Sequence, residues 1–154
     1  MDYRWLVLVH VLAAMAWVGG AIALEATLFA ARRSQGPDGV DRVMQSLRWA
    51  DTWLAVPAPL LVLGSGVALV LVSGAWGFTQ AWILGSIGLV VAYEVVAVTI
   101  GARLYRRIDD ARRAGTLGGD GHAATMRAWS RLGVLLLAIL VAIVALMVFK
   151  PGVG

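Results

Sequence analysis

Cysteine is absent from this sequence, and lysine occurs only once, at position 150. The absence of cysteine excludes disulfide bonds and thiolate metal sites. Charged residues are also scarce: they make up 14% of the 154 residues, whereas a soluble domain carries about 25%. Hydrophobic residues account for 60% of the chain. This composition predicts a polytopic membrane protein in a single domain, residues 1–154.

Long apolar runs identify the candidate membrane spans. A bilayer core about 30 Å thick needs roughly 20 apolar residues in a helix. Runs that meet this length cover about residues 5–31, 53–72, 81–102 and 132–149. Pro57 and Pro59 predict a kink early in the second span, and the glycines and aromatic residues of segment 73–80 predict a turn at an interface. The expected fold class is all-α, a bundle of four transmembrane helices.

The positive charges predict how the chain is oriented. All Lys and Arg residues except Arg4 and Lys150 lie in two polar segments, 32–48 and 103–131. Because positively charged loops stay in the cytoplasm, both polar loops are expected to be cytoplasmic and both chain ends outside, in a bacterial inner membrane. This topology and contact with anionic lipids explain the net charge of +4. The sequence has no nucleic-acid-binding motif, so nucleic acid is not an expected partner.

The first span carries the one histidine found in the apolar runs, His10. An ionisable group inside a membrane is a candidate functional residue, and neutral imidazole is a common ligand of metals and of haem iron. Trp17 and Gly20 follow along the same helix, and Met147 of the fourth span lies at a similar depth. The predicted cofactor site therefore consists of His10, Trp17, Gly20 and Met147. Haem b is a candidate cofactor, and the sequence does not identify which metal, if any, these residues would bind. The alternative is that His10 only hydrogen-bonds a neighbouring helix.

Two glutamates interrupt the apolar runs, Glu25 in the first span and Glu94 in the third. Counted from the arginines that end each span, both lie roughly 10–14 Å into the membrane, in one layer. Two carboxyls in a low-dielectric layer do not both ionise unless cations compensate them. Glu25 and Glu94 are therefore the predicted ion or proton site. The alternative is that each is neutral, or paired with a snorkelling arginine such as Arg32 or Arg103.

Small residues recur on one face of the first span. They follow three- and four-residue spacings, at Ala13, Ala16, Gly20, Ala23 and Thr27. Small side chains let helix backbones approach each other in a bilayer, so this face is predicted to pack against the other helices. It could also serve a homodimer or a contact with another membrane protein. The large apolar side chains on the opposite face are predicted to face lipid.

Two passages resemble a bacterial family. The first runs from His10 to Gly20 and reads HVLAAMAWVGG; the second runs from Ala50 to Pro59, reads ADTWLAVPAP, and is followed by Gly64-Ser65-Gly66. Together they resemble domain-of-unknown-function family 2269, whose members are predicted integral membrane proteins of unknown function. The first passage is also similar to copper-resistance D membrane proteins and to HemJ-type protoporphyrinogen oxidases.

These wider resemblances imply different activities. The HemJ-type resemblance implies haem at the first-span histidine, His10, and an activity that depends on a lysine within a later span, whereas Lys150 follows the last apolar run. The copper-resistance resemblance implies copper uptake, but the chain has no cysteine and no cluster of histidine or methionine.

The leading functional prediction is that the chain is a small membrane protein that binds a ligand and does not act as an enzyme. It is expected to bind haem or another hydrophobic cofactor near His10 and Trp17. The first alternative is proton- or cation-coupled transport or permeation that uses Glu25 and Glu94. The second alternative is a HemJ-type membrane oxidoreductase.

Overall fold

The computed structural model describes residues 3–151, which are almost entirely helical. Met1, Asp2 and residues 152–154, and with them the chain ends whose sidedness was predicted, lie outside this range. The elements are α1 (Tyr3–Ser34), α2 (Pro37–Ala55), α3 (Pro57–Ser73), α4 (Ala81–Val96), a π-helical turn (Ala97–Gly101), α5 (Ala102–Arg113) and α6 (Asp120–Phe149). The described range contains no strand, which confirms the all-α fold class.

These elements form four candidate membrane-spanning helices. α1 and α6 are each long enough to cross alone, α2 and α3 together form the stretch Pro37–Ser73, and α4, the π-turn and α5 form Ala81–Arg113. Each is apolar enough to cross a bilayer, so the predicted bundle of four spans is confirmed. The helices extend beyond the predicted apolar runs because polar residues at their ends continue the helical hydrogen bonding.

The bundle has two chemically different ends. The arginine end, as we call it, contains the α1–α2 turn and the connection 114–119; the lysine end contains the loop 74–80 and Lys150. Arg32 contacts Ser130 near the first end, and His10 and Met147 line one cavity nearer the second, so α1 and α6 run in opposite directions. α1 packs against α2 and α3, and α4 packs against α6.

Two breaks interrupt regular α-helix within the spans. Val56 separates α2 from α3, with φ −127° and ψ −60°. Pro57 causes this break because it lacks a backbone N–H and disfavours helical geometry in the residue before it, which confirms the predicted kink. The π-turn Ala97–Gly101 was not predicted, because its apolar sequence has no feature that distinguishes it from α-helix.

The face of α1 that packs against the bundle differs in part from the predicted small-residue face. Ala16, Ala23 and Thr27 are exposed, so for them the packing prediction is wrong. The buried residues of α1 are Trp17, Leu28 and Ala31. Neighbouring helices approach α1 from the flank of the small face: His10 contacts α3, and Ala14, Trp17 and Ala21 pack in the cluster that contains Tyr93. Of the predicted lipid-facing side chains, Leu8, Val11, Met15, Ile22 and Phe29 are exposed as expected, whereas Val18 packs against the buried cluster that contains Trp17.

Buried side chains form two clusters along the bundle. The cluster nearer the arginine end includes Leu28, Met44 and Trp129. The cluster nearer the middle includes Trp17, which is 1% exposed, and Tyr93. The space between these clusters contains the first candidate site.

Candidate functional site: two cavities in the bundle

A cavity of about 380 Å³ lies where α1, α2, α6 and the π-turn meet. Its lining is mostly apolar but includes two carboxyls, Glu25 and Asp51, and two phenols, Tyr93 and Tyr105. The volume lies within the range of about 300–1,000 Å³ typical of small-molecule sites. We call it the acidic cavity.

Glu25 lies against the backbone of α6. A Cβ atom added to Gly133 would overlap the Glu25 carboxyl, so the absence of a side chain at Gly133 creates the space for this acid. In the part of the chain that the structure describes, Glu25 makes no hydrogen bond and no ion pair. Its carboxyl is therefore available to a proton, a cation or water in the cavity.

Asp51 accepts a hydrogen bond from a neutral side chain, that of Tyr105. The Tyr105 hydroxyl donates a hydrogen bond of 2.7 Å to Asp51 Oδ2. The Tyr105 ring packs edge-on against Trp129, with centroids 4.6 Å apart, so its hydroxyl is well positioned. Asp51 also interacts electrostatically with Glu25. The cavity thus brings together two acids, and no arginine or lysine within residues 3–151 forms an ion pair with either of them.

Arg32 is the arginine nearest Glu25 along α1, two turns further on. Its Nη1 donates a hydrogen bond to Ser130 of α6, and its Nε and Nη2 are buried without hydrogen-bond partners among the described residues. Arg32 therefore connects α1 to α6; it forms no direct ion pair with Glu25, but the two groups interact electrostatically.

The irregular backbone of the spans borders the acidic cavity. Val56, at the break between α2 and α3, lines it, and so do Ala97, Val98 and Gly101 of the π-turn. Non-helical backbone at membrane depth is tolerated where it is buried or lines a cavity, and π-turns occur frequently at functional sites. Val56 and Val98 are also exposed, at 44% and 49%, which places the mouth of the cavity between α2 and the π-turn.

The structure pairs Glu25 with a different acid from the one the sequence suggested. Glu94 lines neither of the two cavities described here. Its Oε1 is buried and has no hydrogen-bond partner within residues 3–151. Asp51 was not identified from the sequence as a site residue, because it precedes the second apolar run and resembles the polar residues that commonly flank a membrane span. The signal that could have identified it is that Asp51 follows Met44 and Leu47 at helical spacing, on the face of α2 that packs inward.

A second cavity, of about 290 Å³, lies nearer the lysine end. Its lining includes His10 and Met147, two of the predicted cofactor ligands, together with Trp76, Trp82 and Lys150. We call it the indole cavity. His10 of α1 and Met147 of α6, which the sequence placed at a similar depth, thus line the same cavity.

His10 also makes the contact that the sequence offered as the alternative to ligation. Its Nδ1 lies 3.1 Å from the Val62 carbonyl oxygen and 3.0 Å from Ser65 Oγ, both on α3. The other two predicted cofactor residues lie outside the indole cavity. Trp17 is buried in the core, where its ring packs edge-to-face with that of Tyr93, with ring centroids 4.9 Å apart. Gly20 faces Leu54, and a Cβ atom added at Gly20 would overlap the leucine side chain.

The indole cavity has suitable donors for haem but not sufficient room. An imidazole that donates its Nδ1–H to a backbone carbonyl keeps Nε2 for a metal, and a thioether such as Met147 is a known axial ligand. A haem macrocycle, however, is larger than 290 Å³ and would have to push the helices apart. A smaller apolar ligand fits the volume of this cavity better.

Four helical spans with ionisable groups turned into internal cavities define a multi-pass integral membrane protein. A family model matches residues 4–151, and the chain belongs to that family, DUF2269, described as "Predicted integral membrane protein". Comparison with curated proteins and with solved structures gives no match.

Proposed function

We propose that this protein is a membrane carrier for protons or a monovalent cation, with Glu25 and Asp51 as its binding site. The observation that supports this proposal is that two carboxyls share one cavity and neither forms an ion pair with a cation among the described residues, Arg32 acting on Glu25 only from a distance. Ionisable groups inside a membrane are costly and are found where ions or protons are bound and moved.

The chemistry of the pair follows from its surroundings. Two nearby carboxyls in a largely apolar cavity repel each other when both are charged, so the state with a shared proton is favoured. A cation that enters the cavity compensates the same charge and can replace the proton. Tyr105 donates a hydrogen bond to Asp51 and none to Glu25, so the two acids are not equivalent, and the proton is shared between them.

The irregular segments supply a means of opening the cavity. A break at Val56 and a π-turn at Ala97–Gly101 are points at which the neighbouring helices can change angle. Both border the mouth of the acidic cavity. Movement at these points would expose Glu25 and Asp51 to one side of the membrane and then the other, as carriers with discontinuous helices do.

A flux measurement tests this function. Purified protein is reconstituted into liposomes that contain the pH-sensitive dye pyranine, and a potassium gradient with valinomycin drives protons inward. Wild type is expected to acidify the lumen faster than protein-free liposomes, and both Glu25→Gln and Asp51→Asn should reduce the rate to the protein-free level. A parallel arm with a ²²Na⁺ gradient distinguishes a sodium carrier from a proton carrier.

Glu94→Gln is the matched control, because it removes a membrane-embedded carboxyl that lies outside both cavities. It should retain the wild-type rate. If Glu94→Gln abolishes the flux while Asp51→Asn does not, the acidic cavity is not the route. If wild-type liposomes leak neither protons nor sodium faster than empty ones, the carrier function is wrong.

A further inference from the structure

The lysine end of the indole cavity is chemically unlike the rest of the bundle. Lys150 lines the cavity, and its Nζ lies 4.7 Å from the ring centroid of Trp76 and 5.7 Å from that of Trp82. These cation–π contacts hold the ammonium group at the cavity wall. No carboxylate within residues 3–151 forms an ion pair with it, so its charge is not neutralised by the described part of the protein.

The backbone of Lys150 provides a second, independent observation. Lys150 ends α6 with φ 41° and ψ 58°, in the left-handed region. Glycine is the usual residue at such a helix end because it has no Cβ to clash, and residues held in this conformation often serve a function. A lysine there suggests that its side chain has a use that offsets the conformational cost.

Most of the remaining lining is apolar, with His10 and Ser86 as polar exceptions. Val67, Val70, Ile87 and Ile143 line its interior. Tyr3 and Phe78, which are 43% and 39% exposed, are the outermost lining residues and mark its mouth at the lysine end. A volume of about 290 Å³ accommodates a single chain better than the two chains of a phospholipid.

From the charge, the volume and the apolar lining together, we propose that the indole cavity binds a long-chain fatty acid. The alkyl chain occupies the apolar interior, and the carboxylate lies at the mouth, beside the Lys150 ammonium. This site is separate from the acidic cavity, so it does not depend on the carrier function proposed above.

Binding can be measured with cis-parinaric acid, a fatty acid that accepts excitation energy from tryptophan. The full chain is placed in nanodiscs of phosphatidylcholine and titrated with this probe. We expect saturable energy transfer, displacement by oleate, and much weaker displacement by oleyl alcohol, which has the chain of oleate without its charge. Displacement by a dioleoyl phosphatidic acid but not by oleate would instead identify a phospholipid headgroup site and overturn the proposal.

Lys150→Gly removes the charge without disturbing the end of the helix, since glycine favours the left-handed conformation. This variant should bind the probe about tenfold more weakly, the loss expected when a charged hydrogen-bond partner is removed, while it melts at or above the wild-type temperature. Lys150→Arg should keep most of the affinity. Unchanged affinity in Lys150→Gly would show that the lysine is not the carboxylate partner.

Filling the cavity tests the position of the alkyl chain. Val70→Phe places a larger side chain in the apolar interior and should abolish saturable binding. Val72→Phe is the matched control, because Val72 is 52% exposed on the same helix and outside the cavity. Equal binding by both variants would exclude the indole cavity as the site.

Discussion

Replacing Arg112 with alanine is expected to lower the melting temperature of the protein by about 6–20 °C. Arg112 forms a two-pronged contact with Asp41, with Nη2 2.6 Å from Oδ1 and Nε 2.8 Å from Oδ2. The Asp41 side chain is only 4% exposed. Removal of the guanidinium leaves a buried carboxylate without its cation, which costs about 3–5 kcal/mol.

The contact between Arg112 and Asp41 also connects separate elements of the arginine end. Asp41 belongs to α2 and Arg112 to α5, and Arg112 Nη1 contacts Asp109 Oδ1 at 2.7 Å as well. A lysine carries the same charge but cannot reproduce the two parallel bonds to a carboxylate. Arg112→Lys is therefore expected to melt between wild type and Arg112→Ala.

Intrinsic tryptophan fluorescence in detergent is a suitable measurement, because the chain has seven tryptophans and no cysteine for thiol-reactive dyes. Arg113→Ala is the matched control. Arg113 Nη1 lies 4.0 Å from Asp110 Oδ1, and the two side chains are 80% and 73% exposed. Exposed ion pairs of this kind contribute little to stability. If Arg112→Ala melts together with Arg113→Ala, the buried pair does not stabilise the arginine end.

Replacing Gly133 with alanine is expected to move the Glu25 carboxyl from its place at a cost of at most about 1 kcal/mol, below the usual cost of overpacking, because the atoms it meets are the end of a flexible side chain that borders a cavity. The added methyl group would occupy the position of the Glu25 carboxyl, so α1 and α6 would have to separate or the acid would have to leave its place. Because the same acid is the proposed proton site, this variant should also lose proton flux in the liposome measurement.

Gly88→Ala is the control for the glycine substitution itself. Nothing lies within 4 Å of a Cβ added at Gly88, and alanine is favoured over glycine in a helix by roughly 0.5–1 kcal/mol. Gly88→Ala should melt at or above the wild-type temperature. The double variant Gly133→Ala with Glu25→Ala should melt above Gly133→Ala alone, because shortening residue 25 makes room for the methyl group. Additive losses in the double variant would contradict the direct contact.

The two cavities lie at different depths and contain different chemistry. The acidic cavity contains carboxyls with no cation among the described residues, and the indole cavity contains a cation with no carboxyl among them. Glu25 and His10 are fifteen residues apart on α1, roughly 22 Å along the axis, so one ion cannot contact both. Variants in one cavity therefore serve as additional controls for the other.

The sequence by itself determined the number of spans, the turn over 73–80 and the break beside Pro57. These follow from local causes, since hydrophobic length sets the number of crossings and proline removes a helical donor. It also determined which large side chains of α1 face outward, because an amphipathic wheel needs no knowledge of the partner helix.

The tertiary structure alone decided which ionisable groups share a cavity. The sequence suggested Glu94 as the partner of Glu25, whereas Asp51 shares a cavity with Glu25 because α2 lies beside α1, and Gly133 lets α6 approach the same acid. Trp17 is likewise buried because α4 places Tyr93 against it. A sequence fixes the depth and the face of a residue on its own helix, whereas the rotation of that helix and the choice of its neighbours depend on packing between helices far apart in the chain.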